Sequence, residues 1–219
     1  MLLVFDWDGT LADSTAKIVR CMQLAAAECR EPVLADETIR EIIGLGLPEA
    51  IHALYPDRDG VARESIRQHY VQFFIERDQT PTALFPGVYD SLLRLRDEGH
   101  QLAVATGKSR RGLDRVLELT DTAHLFQATR CADETLSKPH PQMLLELLAH
   151  FAVDAQQAVM VGDTHFDMEM AQRANMHRIA VSYGAHAIER LQPYQPLACL
   201  DRFPDIVSVL STFNEQISR

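Results

Sequence analysis

The sequence predicts an α/β protein in which a parallel sheet is interrupted after its first strand by an all-helical insertion. Residues 1–5 form an apolar run that is too short for a buried helix, and a central parallel strand is apolar on both faces. After Pro81, short apolar runs alternate with helical patterns, the order that builds a parallel sheet with right-handed crossovers. No strand pattern occurs between Ser14 and Thr80.

The helical insertion is predicted to span residues 15–81, which leaves residues 1–14 and 82–219 for the sheet domain. Ser14 is the predicted N-cap of its first helix, which runs to about Cys29. A loop of glycine and leucine, residues 44–47, precedes Pro48, which suits the first turn of a helix. The remaining helices of the insertion are expected at 36–43 and 59–78.

In the sheet domain, each predicted strand is followed by a helical pattern. Polar residues come directly after several of these strands, where ligands bind in parallel sheets. The predicted strands are 101–105, 126–129, 158–161, 178–181 and a weak one at 197–200. The predicted helices are 88–98, 109–119, 141–150, 164–174 and 204–213.

Composition limits the classes of function. The 219 residues carry a net charge of −10, which argues against a nucleic-acid surface because such a surface needs a basic stripe. The sequence has no basic segment before its first apolar run and no long apolar run, so we expect neither a signal peptide nor a membrane span. The four cysteines are scattered, with no CxxC pair, which is typical of reduced thiols. We therefore expect a cytoplasmic protein, and the sequence leaves monomer and homodimer open.

The strongest chemical pattern follows the first strand. Asp6 and Asp8 lie two residues apart, so in an extended chain both carboxylates would project into one small volume. Gly9 then allows a sharp turn. Two like charges this close require a shared proton or a bound cation. The alternative is a turn in which an aspartate merely caps a helix.

Similar chemistry recurs at later strand ends. Thr106 and Gly107 offer a hydroxyl and a backbone N–H to an anion, and Lys138 can bring a cation to the same rim. If a helix starts after the strand at 158–161, Asp163 and Asp167 share one of its faces. A turn, a solvated lysine and helix-end carboxylates could each explain one feature, but their combination favours a single site. Several carboxylates with oxygen ligands favour Mg²⁺ beside a phosphate.

This ordered set resembles the haloacid dehalogenase superfamily, specifically its phosphatases with a helical cap after the first strand. The resemblance covers nearly the whole chain and implies a Rossmann-like core, with residues 15–81 as the cap. The four matching motifs are Asp6-x-Asp8-Gly9-Thr10, Thr106, Lys138 and Gly162-Asp163-Thr164-x-x-Asp167.

The resemblance also implies residue roles. Asp6 would be the nucleophile that forms an aspartyl phosphate, and Asp8 would protonate the leaving alcohol and then activate water. Thr106 and Lys138 would hold the phosphate. Mg²⁺ would lie on Asp6, Asp163 and the backbone carbonyl of Asp8, with Asp167 close by. Phosphate or substrate contacts are further predicted for Gly9, Thr10, Gly107, Gly44, Leu45, Gly46 and Arg110.

Within the superfamily, the chain is most similar to phosphoglycolate phosphatases, so the expected partner is a small phosphorylated metabolite. The basic cluster at 108–111 either attracts an anionic substrate or is solvated surface charge. Asp8 excludes dehalogenase chemistry, because dehalogenases lack an acid there. Three alternatives stay open: a pyrophosphatase or nucleotidase, a sugar-phosphate mutase, and a catalytically silent binding protein.

Overall fold

The computed structural model describes residues 1–217, which contain a six-stranded sheet with every neighbouring pair parallel. In spatial order the strands are β3-β2-β1-β4-β5-β6, the doubly wound order of a Rossmann-like sheet. Their bounds are β1 Leu2–Phe5, β2 Gln101–Thr106, β3 Ala128–Cys131, β4 Ala158–Gly162, β5 His177–Val181 and β6 Cys199–Leu200.

Alternation along the central strand explains why helices cover both faces of the sheet. Leu3 and Phe5 belong to one hydrophobic cluster, whereas Leu2 and Val4 belong to another. The first cluster includes residues of α5 (Val88–Asp97), α6 (Arg110–Leu119) and α9 (Ile206–Ile217). The second includes residues of α7 (Gln142–Phe151) and α8 (His165–Arg173). β1 is therefore buried on both faces, as its composition predicted.

The helical insertion contains a third hydrophobic cluster, against which Ala185 of the sheet domain also packs. Ile18, Met22, Ile39, Ile51 and Ile66 are buried within it. The insertion comprises α1 Thr15–Glu28, α2 Asp36–Arg40, α3 Leu47–Leu54, α4 Gly60–Gln72 and a π-helical turn, Phe73–Arg77. None of the helices described in residues 1–217 is both long and apolar enough to cross a bilayer.

Several predicted boundaries need correction. The helix expected at 36–43 ends at Arg40 and continues as turns to Gly44. The helix expected at 59–78 changes to π geometry at Phe73. β3 begins two residues later than predicted, because Phe126 packs edge-on against Trp7 at 6.4 Å before the strand starts. At the C-terminus, a 3₁₀ turn, Phe203–Asp205, precedes α9.

We expect the stability of the cap to depend on the burial of Ile66. This side chain is 0% exposed, whereas Val61 on the same helix is 81% exposed. Ile66→Ala should lower the free energy of unfolding by about 2–5 kcal/mol because it leaves a cavity. Val61→Ala should change it by less than about 0.5 kcal/mol. Chemical denaturation of both variants tests this, and equal effects would contradict a cap with its own core.

Candidate active site

The carboxyl ends of the three central strands bring the predicted residues together. Asp6 follows β1, Thr106 ends β2 and Asp163 follows β4, and β1 lies between the other two. The backbone N–H of Asp6 donates to Val161 O at 3.0 Å, which continues the sheet ladder to the site. Asp6, Thr106 and Asp163 are all buried. The sheet therefore delivers these side chains to one rim.

Three carboxylates converge at this rim. Asp6, Asp163 and Asp167 each place an oxygen so that all three lie within 4.8 Å of one another. Asp163 is fixed by two donors: Thr10 Oγ1 at 2.8 Å from its Oδ1 and the Ala185 N–H at 2.7 Å from its Oδ2. The contribution of residue 185 could not be found by motif, because it enters through the backbone from the loop after β5.

Asp163 and Asp167 do not meet by sharing a helical face, as the sequence suggested. Asp163 lies before α8, and Asp167 closes a capping box at its start. The N–H and Oγ1 of Thr164 donate to Asp167 Oδ2 at 3.1 and 2.7 Å. These hydrogen bonds occupy Asp167 Oδ2 and leave Oδ1 to accept from Lys138 Nζ at 2.7 Å. Helix capping thus positions a site residue here.

Lys138 neutralises part of this negative charge. Its Nζ lies 2.8 Å from Asp6 Oδ1 and 2.7 Å from Asp167 Oδ1, in a buried setting. Burial alone would lower the pKa of Lys138, but the attraction of Asp167 and Asp6 outweighs it and raises that pKa. Lys138 therefore remains an ammonium group at the centre of the site.

One ammonium does not balance three carboxylates. Burial, together with repulsion from Asp167 and Asp163, raises the pKa of Asp6 despite the attraction of Lys138. Burial and repulsion from Asp167 raise the pKa of Asp163 to about 7. Among the described residues, Asp6 Oδ2 has no hydrogen-bond partner. This surplus of hard oxygen donors with one free oxygen fits a divalent cation such as Mg²⁺.

The close packing around Asp163 explains the glycine of the first motif. Gly9 has a φ of +78°, which L side chains rarely adopt. A Cβ at this position would also lie 2.2 Å from Asp163 Oδ2. Gly9 is therefore required both by its backbone geometry and by the carboxylate that it touches.

Asp8 is not one of the three clustered carboxylates, although it lines the same cavity as Asp6. Its Oδ1 accepts a hydrogen bond from Ser14 Oγ at 2.5 Å and lies 3.0 Å from Lys108 Nζ. The chain leaves extended geometry after β1, so the two-residue period no longer applies. Ser14 precedes α1 but makes no side-chain cap there; its hydroxyl orients Asp8 instead. The predicted use of the Asp8 carbonyl as a metal ligand stays a prediction.

The loop of the cap lies directly over the second motif. A Cβ at Gly107 would be 2.5 Å from Leu45 O and 2.6 Å from Gly44 O. The N–H of Gly46 donates to Ser137 Oγ at 2.8 Å, next to Lys138. The hydroxyl of Thr106 accepts from the N–H of Lys108 at 3.2 Å. The loop of the cap therefore lies beside the end of β2.

Arg110 is the predicted site residue that the structure places elsewhere. Its guanidinium donates to both carboxylate oxygens of Glu134, at 2.9 and 2.8 Å, and to Asp114 at 3.2 Å. The start of α6 directs it to these acids, which corrects its assignment as a substrate contact. The described cations that line the cavity are Lys17, Arg67, Lys108 and Arg115.

Comparison with known proteins gives consistent results. The model of the haloacid dehalogenase-like hydrolase family matches residues 3–181. The chain is 35% identical over 211 residues to a probable phosphatase, IndB, of Dickeya dadantii, which covers 94% of this chain and 91% of that protein. It is 32% identical to a phosphoglycolate phosphatase of Aliivibrio fischeri, over 96% of both chains. The crystal structure of a predicted phosphoglycolate phosphatase from Haemophilus somnus superposes with a TM-score of 0.87 at 22% identity, covering 95% and 97% of the two chains.

We expect Gly9→Ala to damage the site beyond the cost of its backbone strain. Gly99→Ala is the matched control, since Gly99 has a φ of +88° and open space around its Cβ position. The control should cost about 1–2 kcal/mol of stability. Gly9→Ala should cost more and weaken Mg²⁺ binding by at least about tenfold, because it displaces Asp163. Denaturation and calorimetric titration measure both; equal stability losses with unchanged binding would contradict the contact.

Asp163 should contribute stability to the metal-free protein that is lost as pH rises from about 4 to about 7, whereas His186, whose pKa burial lowers to about 4, contributes in the opposite direction, so the comparison is made against Asp163→Asn. The pKa of Asp163 rises from 3.8 to about 7 on folding, so in this window the folded state holds a proton that the unfolded state has lost. Bound Mg²⁺ would replace that proton. Mg²⁺ should therefore raise Tm more at about pH 8 than at about pH 5. Thermal scans with Mg²⁺ or a chelator test this, and Asp163→Asn should flatten the dependence.

Proposed function

We propose that this chain, which belongs to the haloacid dehalogenase-like hydrolase family, hydrolyses small phosphate monoesters through a phosphorylated Asp6. Its relatives include proteins named phosphatases, and the similarity extends over nearly the full length of those proteins. The single observation that carries the mechanism is the state of Asp6: it is buried among two other carboxylates and Lys138, and its Oδ2 is free. A free carboxylate oxygen at a water-poor rim is suited to nucleophilic attack.

In the first step, an oxygen of Asp6 attacks phosphorus and the bond from phosphorus to the ester oxygen breaks. Asp8 donates a proton to the leaving alcohol. In the second step, Asp8 takes a proton from a water molecule, whose oxygen attacks the aspartyl phosphate. Phosphate leaves and the Asp6 carboxylate is restored. Lys138 stabilises negative charge on the transferred group throughout.

Asp6, Asp163 and Asp167 are the side chains proposed to hold Mg²⁺, which would offset the charge of the phosphoryl group. The separation of Asp8 from this cluster matches its different task. Hydrogen bonding to Ser14 and pairing with Lys108 hold Asp8 at the edge of the cavity. From there it can exchange protons with the leaving group and with water. The two aspartates of the first motif therefore divide nucleophilic and acid–base work.

We propose a phosphorylated metabolite as the substrate, with phosphoglycolate as the reference compound because relatives carry that name. Pyrophosphate, nucleotides and sugar phosphates are the compounds to compare with it. A mutase would instead form an isomer with little free phosphate.

The thiols of the four cysteines are free in the structure, which supports the proposed cytoplasmic location. Monomer and homodimer remain the proposed oligomeric states.

Asp6→Asn should abolish metal-dependent phosphate release, because the amide keeps the shape but is a far poorer nucleophile. We expect a loss of about ten-thousand-fold or more in kcat. Asp13→Asn is the matched control: Asp13 lies in the same segment, is exposed and does not line the cavity. Phosphate release from a panel of esters, with mass spectrometry for phosphorylated protein, measures the effect. Activity retained by Asp6→Asn would contradict the mechanism.

A further inference from the structure

The cavity beside the phosphate site is much larger than a compact phosphoacid needs. It has a volume of about 610 Å³ and extends from Asp6 and Asp8 between the cap and the sheet domain. Sites of this size usually bury a ligand as large as a drug molecule. The glycolate left after hydrolysis of phosphoglycolate has only about five non-hydrogen atoms, so it would fill a small part of the volume of such a site. The space beyond the phosphate is therefore available to a larger leaving group.

The lining of this space is mostly apolar. Its floor consists of buried residues of α1 and of the segment after α2, namely Ile18, Met22, Ile42 and Ile43. Its wall consists of half-buried side chains, namely Leu45, Leu47, Tyr70, Val71, Phe74 and Ile75. Tyr70 and Phe74 stack with ring centroids 5.6 Å apart and planes 24° from parallel. The ammonium groups of Lys17 and Lys108 each lie 4.9 Å from the centre of the Phe74 ring, so a flat apolar group that packs on this aromatic pair would share it with them.

The stacked rings adjoin the proposed acid–base residue. Lys108 Nζ lies 3.0 Å from Asp8 Oδ1 and 4.9 Å from the centre of the Phe74 ring. Phe74 is carried by the π-helical turn, a geometry often found at functional sites. Lys108 therefore links Asp8 to Phe74, and all three side chains line the same cavity.

The cations of the cavity are already engaged, which disfavours a strongly anionic leaving group. Lys108 pairs with Asp8, and Arg67 pairs with Glu64. Lys17 donates to the backbone carbonyls of residues 78 and 80, each at 3.0 Å. Arg115 donates to the carbonyl of residue 75 at 3.3 Å. Binding a second anion would compete with these contacts, whereas an apolar body would compete only with the placement of Lys17 and Lys108 over the Phe74 ring.

We propose that this cavity is a leaving-group subsite for phosphate esters with a flat, apolar body, and that Phe74 is its main specificity-determining residue. The proposal rests on the phosphatase function proposed above. It assigns the cavity a preference for aromatic over compact leaving groups. The transferred phosphate would bind to the sheet domain, and the apolar body would bind mainly to the cap.

Naphthylethyl phosphate and ethyl phosphate provide a matched test, because both are primary alkyl esters of similar intrinsic reactivity and differ in the ring. We expect the wild-type KM for the naphthylethyl ester to be at least about tenfold lower than for ethyl phosphate or phosphoglycolate. Phe74→Ala should raise KM for the naphthylethyl ester by a larger factor than KM for ethyl phosphate, and so remove most of that difference. Phe73→Ala, which removes a ring outside the cavity lining, should preserve the preference.

The outcomes separate the two proposals. Hydrolysis of phosphoglycolate or ethyl phosphate without any preference for the naphthyl ring would overturn the subsite and leave the phosphatase function intact. Equal effects of Phe74→Ala on both esters would also overturn it, since they indicate general damage. If no ester is hydrolysed with Mg²⁺, the phosphatase function fails. In that case calorimetric binding of naphthylethanol, and its loss in Phe74→Ala, still decides whether the subsite exists.

Discussion

The central constraint of this structure is an unequal balance of buried charge. Asp6, Asp163 and Asp167 surround a single ammonium, that of Lys138. Bringing three carboxylates out of water is costly, and one cation offsets only part of that cost. The fold tolerates the arrangement because almost every remaining oxygen receives a donor, from Thr10, Thr164 or the backbone at residue 185. The same imbalance creates the demand for a further cation beside the nucleophile.

The supporting structure follows from that constraint. The parallel sheet sets the spacing of Asp6 and Asp163, because they follow adjacent strands in register. The capping box at the start of α8 then turns Asp167 towards them. Gly9 lets the loop after β1 pass against Asp163. Elements that elsewhere serve only stability here fix the positions of charged atoms.

Much of the fold and of the candidate site could be predicted from the sequence. The apolar strand at 1–5, the alternation after Pro81 and the acidic residues at strand ends indicated the fold and the rim of the site, because parallel strands collect their carboxyl ends at one edge. The contacts that sequence reasoning missed depend on loops. Ser14 resembled a helix cap, yet its hydroxyl faces Asp8. Arg110 belonged to a basic cluster, but local acids that are distant in sequence, such as Glu134, fix its direction. The cavity could not be predicted, since its walls come from separate helices of the cap.

The contact between the loop of the cap and Gly107 has an evolutionary consequence. The cap meets the second motif through the carbonyls of Gly44 and Leu45, and Gly107 presents no side chain to them. Because main-chain atoms make this contact, most side-chain substitutions elsewhere in the cap would leave it unchanged. The cavity lining contributed by α1, α4 and the π-helical turn can therefore diversify without altering this contact. Such a division lets a lineage acquire new substrates by drift in one module without rebuilding the chemistry in the other.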